Sequence, residues 1–146
     1  MRLDVPFIPQ SQANDCGPAA LASVLVFHGL DVSLDEVTRS VFTPVLERTL
    51  LPDMENHARR LGFSTSSGRG DLDMLRSRLS AGTPVIIMLE MGGRLISLGH
   101  YVVVIGHDME GFLMHVGTRG NVFLTDRELL ERWESVNRLY LAVEKP

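Results

Sequence analysis

The sequence predicts one α+β domain over residues 1–146, with a helical N-terminal half packed on a C-terminal antiparallel β-sheet. Three observations lead there. Helix start and stop signals succeed one another from residue 15 to residue 82, and apolar runs of strand length then follow from residue 84 to residue 143. No repeat, low-complexity tract or long linker divides the chain. Helices first and strands later favour this class over an alternating, parallel one.

Taken in order, Leu3 to Pro9 mixes apolar residues with prolines and reads as extended. Asp15 is the expected N-cap of the first helix, Pro18 suits its first turn, and Gly29 stops it. Ala19, Ala20, Leu21, Ala22, Val24 and Leu25 make it apolar on nearly every side, which predicts a buried helix. Ser33 with Glu36 forms a capping box for a second helix over about 34–41. Pro52 to Leu61 reads as a third, ended by Gly62, and Asp71 caps a fourth that runs through Leu72, Leu75 and Leu79 to Gly82. Pro84 to Met91 is a strand with a continuous apolar run, and His100 to Gly106 is another. Gly111 to Val116 and Val122 to Leu124 are two more. Thr125 with Glu128 is a second capping box, opening a helix to Glu134, and Arg138 to Val143 is the last strand.

Composition narrows the function classes. Hydrophobic residues make up 45% and charged residues 22%, so a chain of this size buries a core without a disulfide or a metal. The net charge of -4 is spread without the basic stripe that nucleic-acid binding needs. No stretch approaches the ~18 apolar residues of a membrane span. The N-terminus lacks an apolar core of signal-peptide type, so the chain as it stands reads as cytoplasmic, or as periplasmic or lipid-anchored where a leader has been removed. There is no H-E-x-x-H and no paired cysteine spacing, so neither a metal nor another cofactor is expected.

Cys16 is the only cysteine, which excludes an intramolecular disulfide; a lone cysteine is otherwise often a small buried hydrophobe. Three features give it chemistry. It opens a buried helix, where unpaired N–H groups and the helix dipole favour a thiolate. Gly17 and Pro18 follow it, keeping the backbone open around the sulfur. Gln10 lies six residues upstream, and its amide with the Cys16 N–H would make the donor pair of an oxyanion hole. Asp15, as a neighbouring negative charge, opposes thiolate formation unless it faces away. A thiol nucleophile needs a base. His28 falls at a helix end, His57 on a solvated helix face and His107 in a turn. His100 instead opens an apolar strand directly after Gly99, where a rigidly held ring can reach a cleft.

The run V-P-F-I-P-Q-S-Q-A-N-D-C-G-P-A-A-L at 5–21 and the later G-H-Y-V-V-V-I-G-H-D at 99–108 resemble the bacteriocin-processing, double-glycine-leader cysteine peptidases. The resemblance covers nearly the whole chain and is closest to a stand-alone bacterial branch, often secreted or lipid-anchored. It implies a papain-like fold with Gln10, Cys16 and His100 at the oxyanion, nucleophile and base positions. It also implies a peptide or protein substrate with small residues, such as Gly-Gly, before the scissile bond.

One position departs from that family. Its third catalytic residue is an aspartate on the strand after the histidine strand, and here that strand, F-L-M-H-V-G-T at 112–118, has none. Asp108 would lie roughly 25 Å along an extended strand from His100. A hairpin turning between Gly106 and Gly111 brings residues 115–118 opposite His100 instead. His115, Thr118, a backbone carbonyl or a water are then the groups left to orient the ring. The same departure fits an inactive domain that keeps the fold and binds a peptide or protein partner.

Overall fold

In the computed structural model, which describes residues 1–46, 48–92 and 99–146, the helices are α1 (Cys16–Phe27), α2 (Leu34–Val41), α3 (Leu51–Arg60), α4 (Leu72–Ser80) and α5 (Asp126–Glu134). The strands are β1 (Phe42–Thr43), β2 (Arg48–Thr49), β3 (Ser64–Arg69), β4 (Val85–Glu90), β5 (Gly99–His107), β6 (Gly111–Val116), β7 (Arg119–Thr125) and β8 (Leu139–Glu144). β1 and β2 pair as a small hairpin; the other six form one antiparallel sheet in the order β3-β8-β4-β5-β6-β7. The α+β class read from the sequence is the observed one.

The local signals act where expected, with two differences. The Ser33 hydroxyl accepts from the Glu36 N–H but donates to the Glu36 carboxylate, so the box at α2 is closed side chain to side chain. At α5 the box is reciprocal, with Thr125 Oγ1 on the Glu128 N–H and Glu128 on the Thr125 N–H. Asp71 caps α4 through the Met74 N–H at 2.7 Å. Asp15 stands at the N-cap position of α1 yet makes no side-chain cap bond. Its buried carboxylate turns back to the Ser11 and Gln12 N–H groups, both at 3.0 Å, and to the Ser11 hydroxyl.

The sheet is covered on both faces. Tyr101, Val103 and Ile105 of β5 pack with Leu21, Ala22, Leu25, Met54 and Leu141 in one apolar cluster, under α1, α2 and α3. Val102 and Val104 pack on the other side with Leu75, Leu79, Phe112, Leu129 and Trp133, under α4 and α5. Alternate residues of one strand thus enter two cores, which is why β4 and β5 read as unbroken apolar runs rather than as alternation. β3, β1 and β2 carry no such signal. S-T-S-S-G-R is a polar edge strand held by backbone pairing to β8.

The extended N-terminal segment runs along β5 and into the site. Arg2 bridges Gly106, the Leu3 N–H donates to the Ile105 carbonyl at 2.7 Å, and the Gln10 N–H donates to the Gly117 carbonyl at 3.1 Å. Gln10 is thereby delivered to the end of β5 that carries His100.

Candidate active site

Cys16 is the first residue of α1, and α1 lies on the β5 face that bears Tyr101. A Cβ added to Gly17 would stand 3.1 Å from both Thr49 Cβ and Tyr101 Cδ2, so glycine after the cysteine is what lets the helix start this close to β2 and β5. His100 is the second residue of β5 and half-buried. Cys16, Gly17, Thr49, His100 and Tyr101 line one cleft of about 530 Å³. Glu90 and Arg48 line it as well.

Gln10 comes to the same place. A Cβ on Gly117 would lie 2.6 Å from Gln10 Oε1 and 3.1 Å from His100 Nε2, so the amide and the imidazole crowd one point above the β6–β7 turn. Gly117 has φ +56, a conformation that glycine adopts without strain, and any side chain there would displace both groups. One Gln10 amide hydrogen is spent on the Gln12 carbonyl at 2.6 Å, which leaves the second free.

The two titrating groups sit on the neutral side of their usual balance. Burial pushes the Cys16 thiol up, against the backbone N–H groups of Tyr101, Gly17 and Cys16 that favour the thiolate. Asp15, whose carboxylate accepts from the Ser11 and Gln12 N–H groups, adds the smallest contribution, also upward. The helix start alone predicts a lowered thiol; desolvation outweighs it. Burial also pushes the His100 imidazole down. Near pH 7 the resting pair is thiol and neutral imidazole, not thiolate and imidazolium. Alkylation of Cys16 by iodoacetamide is accordingly expected to accelerate through pH 9 and beyond, with no plateau between pH 5 and 7. A rate already flat in that acidic window would show a preformed ion pair instead.

The groups expected to orient His100 do not reach it. His115 pairs across the sheet with Val103, and both of its ring nitrogens are committed. Nδ1 accepts from the Asn121 N–H at 3.2 Å, so Nε2 carries the proton and donates to the Val5 carbonyl at 2.8 Å. It fastens the N-terminal segment to β6 and rests against Phe7. Thr118 is exposed in the turn before β7. Val116, paired with Val102, packs into the cluster under α4 and α5. Asp108 accepts from Glu110 and Gly111 N–H groups at the far hairpin, away from the site. His28 bonds the Val143 carbonyl at 2.7 Å, and His107 meets Ser80. His100 Nε2 is buried and has no hydrogen-bond partner among the described residues.

Several residues of the cleft escaped sequence reasoning, among them Arg48, Thr49 and Tyr101. Thr49 lies in a segment with neither cap nor apolar period, and only the fold sets it against Gly17.

The sequence matches the model of the Peptidase C39 family over residues 4–145. Three solved structures share its fold across almost the whole chain. A C39-like peptidase from Bacillus anthracis superposes with a TM-score of 0.82 at 16% identity, covering 100% of this chain and 98% of that one. A double glycine motif protease from an AMS/PCAT transporter, in complex with its leader peptide, gives 0.81 at 22% identity over 99% and 94%. The peptidase domain of Streptococcus ComA, a bifunctional ABC transporter of a quorum-sensing pathway, gives 0.78 at 25% over 95% and 97%. Among curated proteins none matches. No helix of the described residues is long and apolar enough to cross a membrane.

Proposed function

The chain belongs to the peptidase C39 family, and from that membership we propose that it hydrolyses a peptide bond through Cys16, His100 and Gln10. The observation that carries the reading is one of convergence. The start of a buried helix and the open end of β5 bring a thiol and an imidazole to one cleft, and the N-terminal segment sets the Gln10 amide beside the same imidazole. The thiol gives its proton to the His100 imidazole as sulfur attacks the carbonyl carbon. Its Nε2, beside Gly117, has no hydrogen-bond partner among the described residues, so no neighbouring side chain there fixes the ring's tautomer. In this reading the Cys16 N–H and the second Gln10 amide hydrogen donate to the developing oxyanion. The C–N bond breaks as the imidazolium protonates the leaving amine, and water, deprotonated by His100, then hydrolyses the thioester and restores the thiol.

The substrate in this reading is a leader or precursor peptide with small residues, such as Gly-Gly, before the scissile bond. The double glycine motif protease solved with its leader peptide supports that choice through shared fold. Mass spectrometry of a peptide containing a Gly-Gly pair, incubated with the wild type and with Cys16→Ala, tests it. Cleavage after the second glycine by the wild type alone is the expected result.

A second reading has its own observation. Val116 is packed among apolar side chains on the strand where the family resemblance implies an aspartate. A domain without that carboxylate also suits an inactive binder of a peptide or protein partner. Peptide binding that survives Cys16→Ala, with no turnover by the wild type, would establish it.

A further inference from the structure

We propose that Asp15 is a positioning residue of the oxyanion hole: its carboxylate closes the loop between Gln10 and Cys16 and thereby sets the Gln10 amide. The bonds form one continuous chain. Asp15 Oδ1 accepts from the Ser11 and Gln12 N–H groups, both at 3.0 Å, and Oδ2 accepts from the Ser11 hydroxyl. Gln12, held in this way, presents its carbonyl to Gln10 Nε2 at 2.6 Å. The main chain of Gln10 is fixed separately, by its N–H on the Gly117 carbonyl at 3.1 Å. A carboxamide is planar and carries both hydrogens on one nitrogen, so pinning one of them on a tethered side chain leaves the other little freedom. The direction of that second hydrogen is set by the Gln12 carbonyl, and the Gln12 carbonyl by Asp15.

Neither the helix nor ion pairing accounts for a carboxylate at this position. Asp15 occupies the N-cap of α1 without a cap bond, and the residue three places on, a usual donor to a cap, is Pro18, which has no N–H. It is 4% exposed, and among the described residues no Lys, Arg or His pairs with it. A buried carboxylate without a cation is costly unless several donors hold it, and the three side-chain bonds here all come from Ser11 and Gln12. Such charge-assisted bonds are roughly twice as strong as neutral ones, which makes the loop a stiff bracket. The charge does not serve the thiol, since beside Cys16 it opposes the thiolate. Nor does it orient the imidazole, since among the described residues no bond joins it to His100. Its contribution is to the amide that lies between them in the chemistry.

The inference rests on the peptide-hydrolysis reading, and two measurements keep them apart. The first needs no substrate: the NMR signals of the Gln10 side-chain amide, assigned by their loss in Gln10→Ala. In the wild type the hydrogen bonded to the Gln12 carbonyl is expected downfield of its position in a free glutamine. In Asp15→Ala it should move to the free value, whereas Asp15→Asn, whose Oδ1 can accept the same two N–H bonds, should keep it in place. The second is steady-state cleavage of a Gly-Gly-containing peptide. Asp15→Ala is expected to lower kcat by about 10–10²-fold with KM nearly unchanged, and Asp15→Asn by less than about threefold. Once Gln10 is already alanine, Asp15→Ala should change kcat by less than about twofold, because the group it acts through is gone. Unmoved Gln10 signals in Asp15→Ala overturn the inference, as does an undiminished loss of kcat in the Gln10→Ala background. Asp15→Ser, too short to bridge both N–H groups, stands in if Asp15→Ala does not fold; loss of the fold in both marks a purely structural role and also overturns it. If the wild type cleaves nothing, the hydrolytic reading fails by itself, and the Gln10 signals alone decide for or against Asp15 as the residue that sets the amide.

Discussion

His100→Ala is expected to lower kcat/KM on a cleaved peptide by about 10²–10⁴-fold, the usual worth of a positioned general base. Gln10→Ala is expected to lower kcat by about 10²–10³-fold with KM nearly unchanged, because an oxyanion donor acts on charge that exists only in the transition state. Steady-state assays on one peptide measure both. The resting geometry adds a control. Among the described residues no hydrogen bond joins His100 Nε2 to the Cys16 sulfur, and the thiol is raised by burial rather than lowered by the imidazole. Alkylation of Cys16 above pH 9 should therefore be nearly as fast in His100→Ala as in the wild type, while peptide cleavage collapses. If both fall together, the histidine activates the thiol at rest. If cleavage is spared, His100 is not the base.

The second large effect lies outside the cleft. Trp133→Ala is expected to destabilise the fold by about 3–5 kcal/mol, the range for a large aromatic removed from a packed core. Trp133 is fully buried among Leu75, Leu79, Phe112 and Leu129, on the sheet face opposite α1. Its indole N–H also donates to the Leu139 carbonyl at 3.0 Å, where β8 begins. The loss would take a large share of a stability that is ordinarily about 5–15 kcal/mol. Urea unfolding monitored by far-UV dichroism gives the value, and a change below about 1 kcal/mol would mean that α5 is not part of the cooperative core. β4 and β5 lie between the two cores, so the strand that carries His100 depends on packing from the α5 side as much as on α1.

Most of the framework was legible because its signals are local. Asp71, Thr125, Gly29 and Gly62 act on neighbours within a few residues, and the helix ends they predict lie within a residue or two of those observed. The two covered faces of the sheet were legible only in part: the apolar runs of β4 and β5 state that both faces are buried but not by which helices. The polar strand β3 was invisible for the opposite reason, since backbone pairing to β8 holds it and its side chains carry no period.

Cys16 was found by the same local logic that found α1, with Gln10 on the segment before it and His100 at a strand end. What the sequence determined is this: an α+β chain with a lone cysteine at the start of a buried helix, and an imidazole and an amide at positions from which they can meet it. Only the tertiary structure decided the rest. It sent the Asp15 carboxylate back to Ser11 and Gln12, and tied His115 to Val5 and Asn121. It raised the thiol by burial, and among the described residues left Thr49 Oγ1 and His100 Nε2 buried without a hydrogen-bond partner. The physical reason is range. A cap or a turn is settled by backbone groups a few residues away, whereas the partner and the desolvation of a buried polar atom are set by chain that can lie far off in sequence. His115 and the Val5 carbonyl, 110 residues apart, meet only because β6 and the N-terminal segment share one face of the sheet.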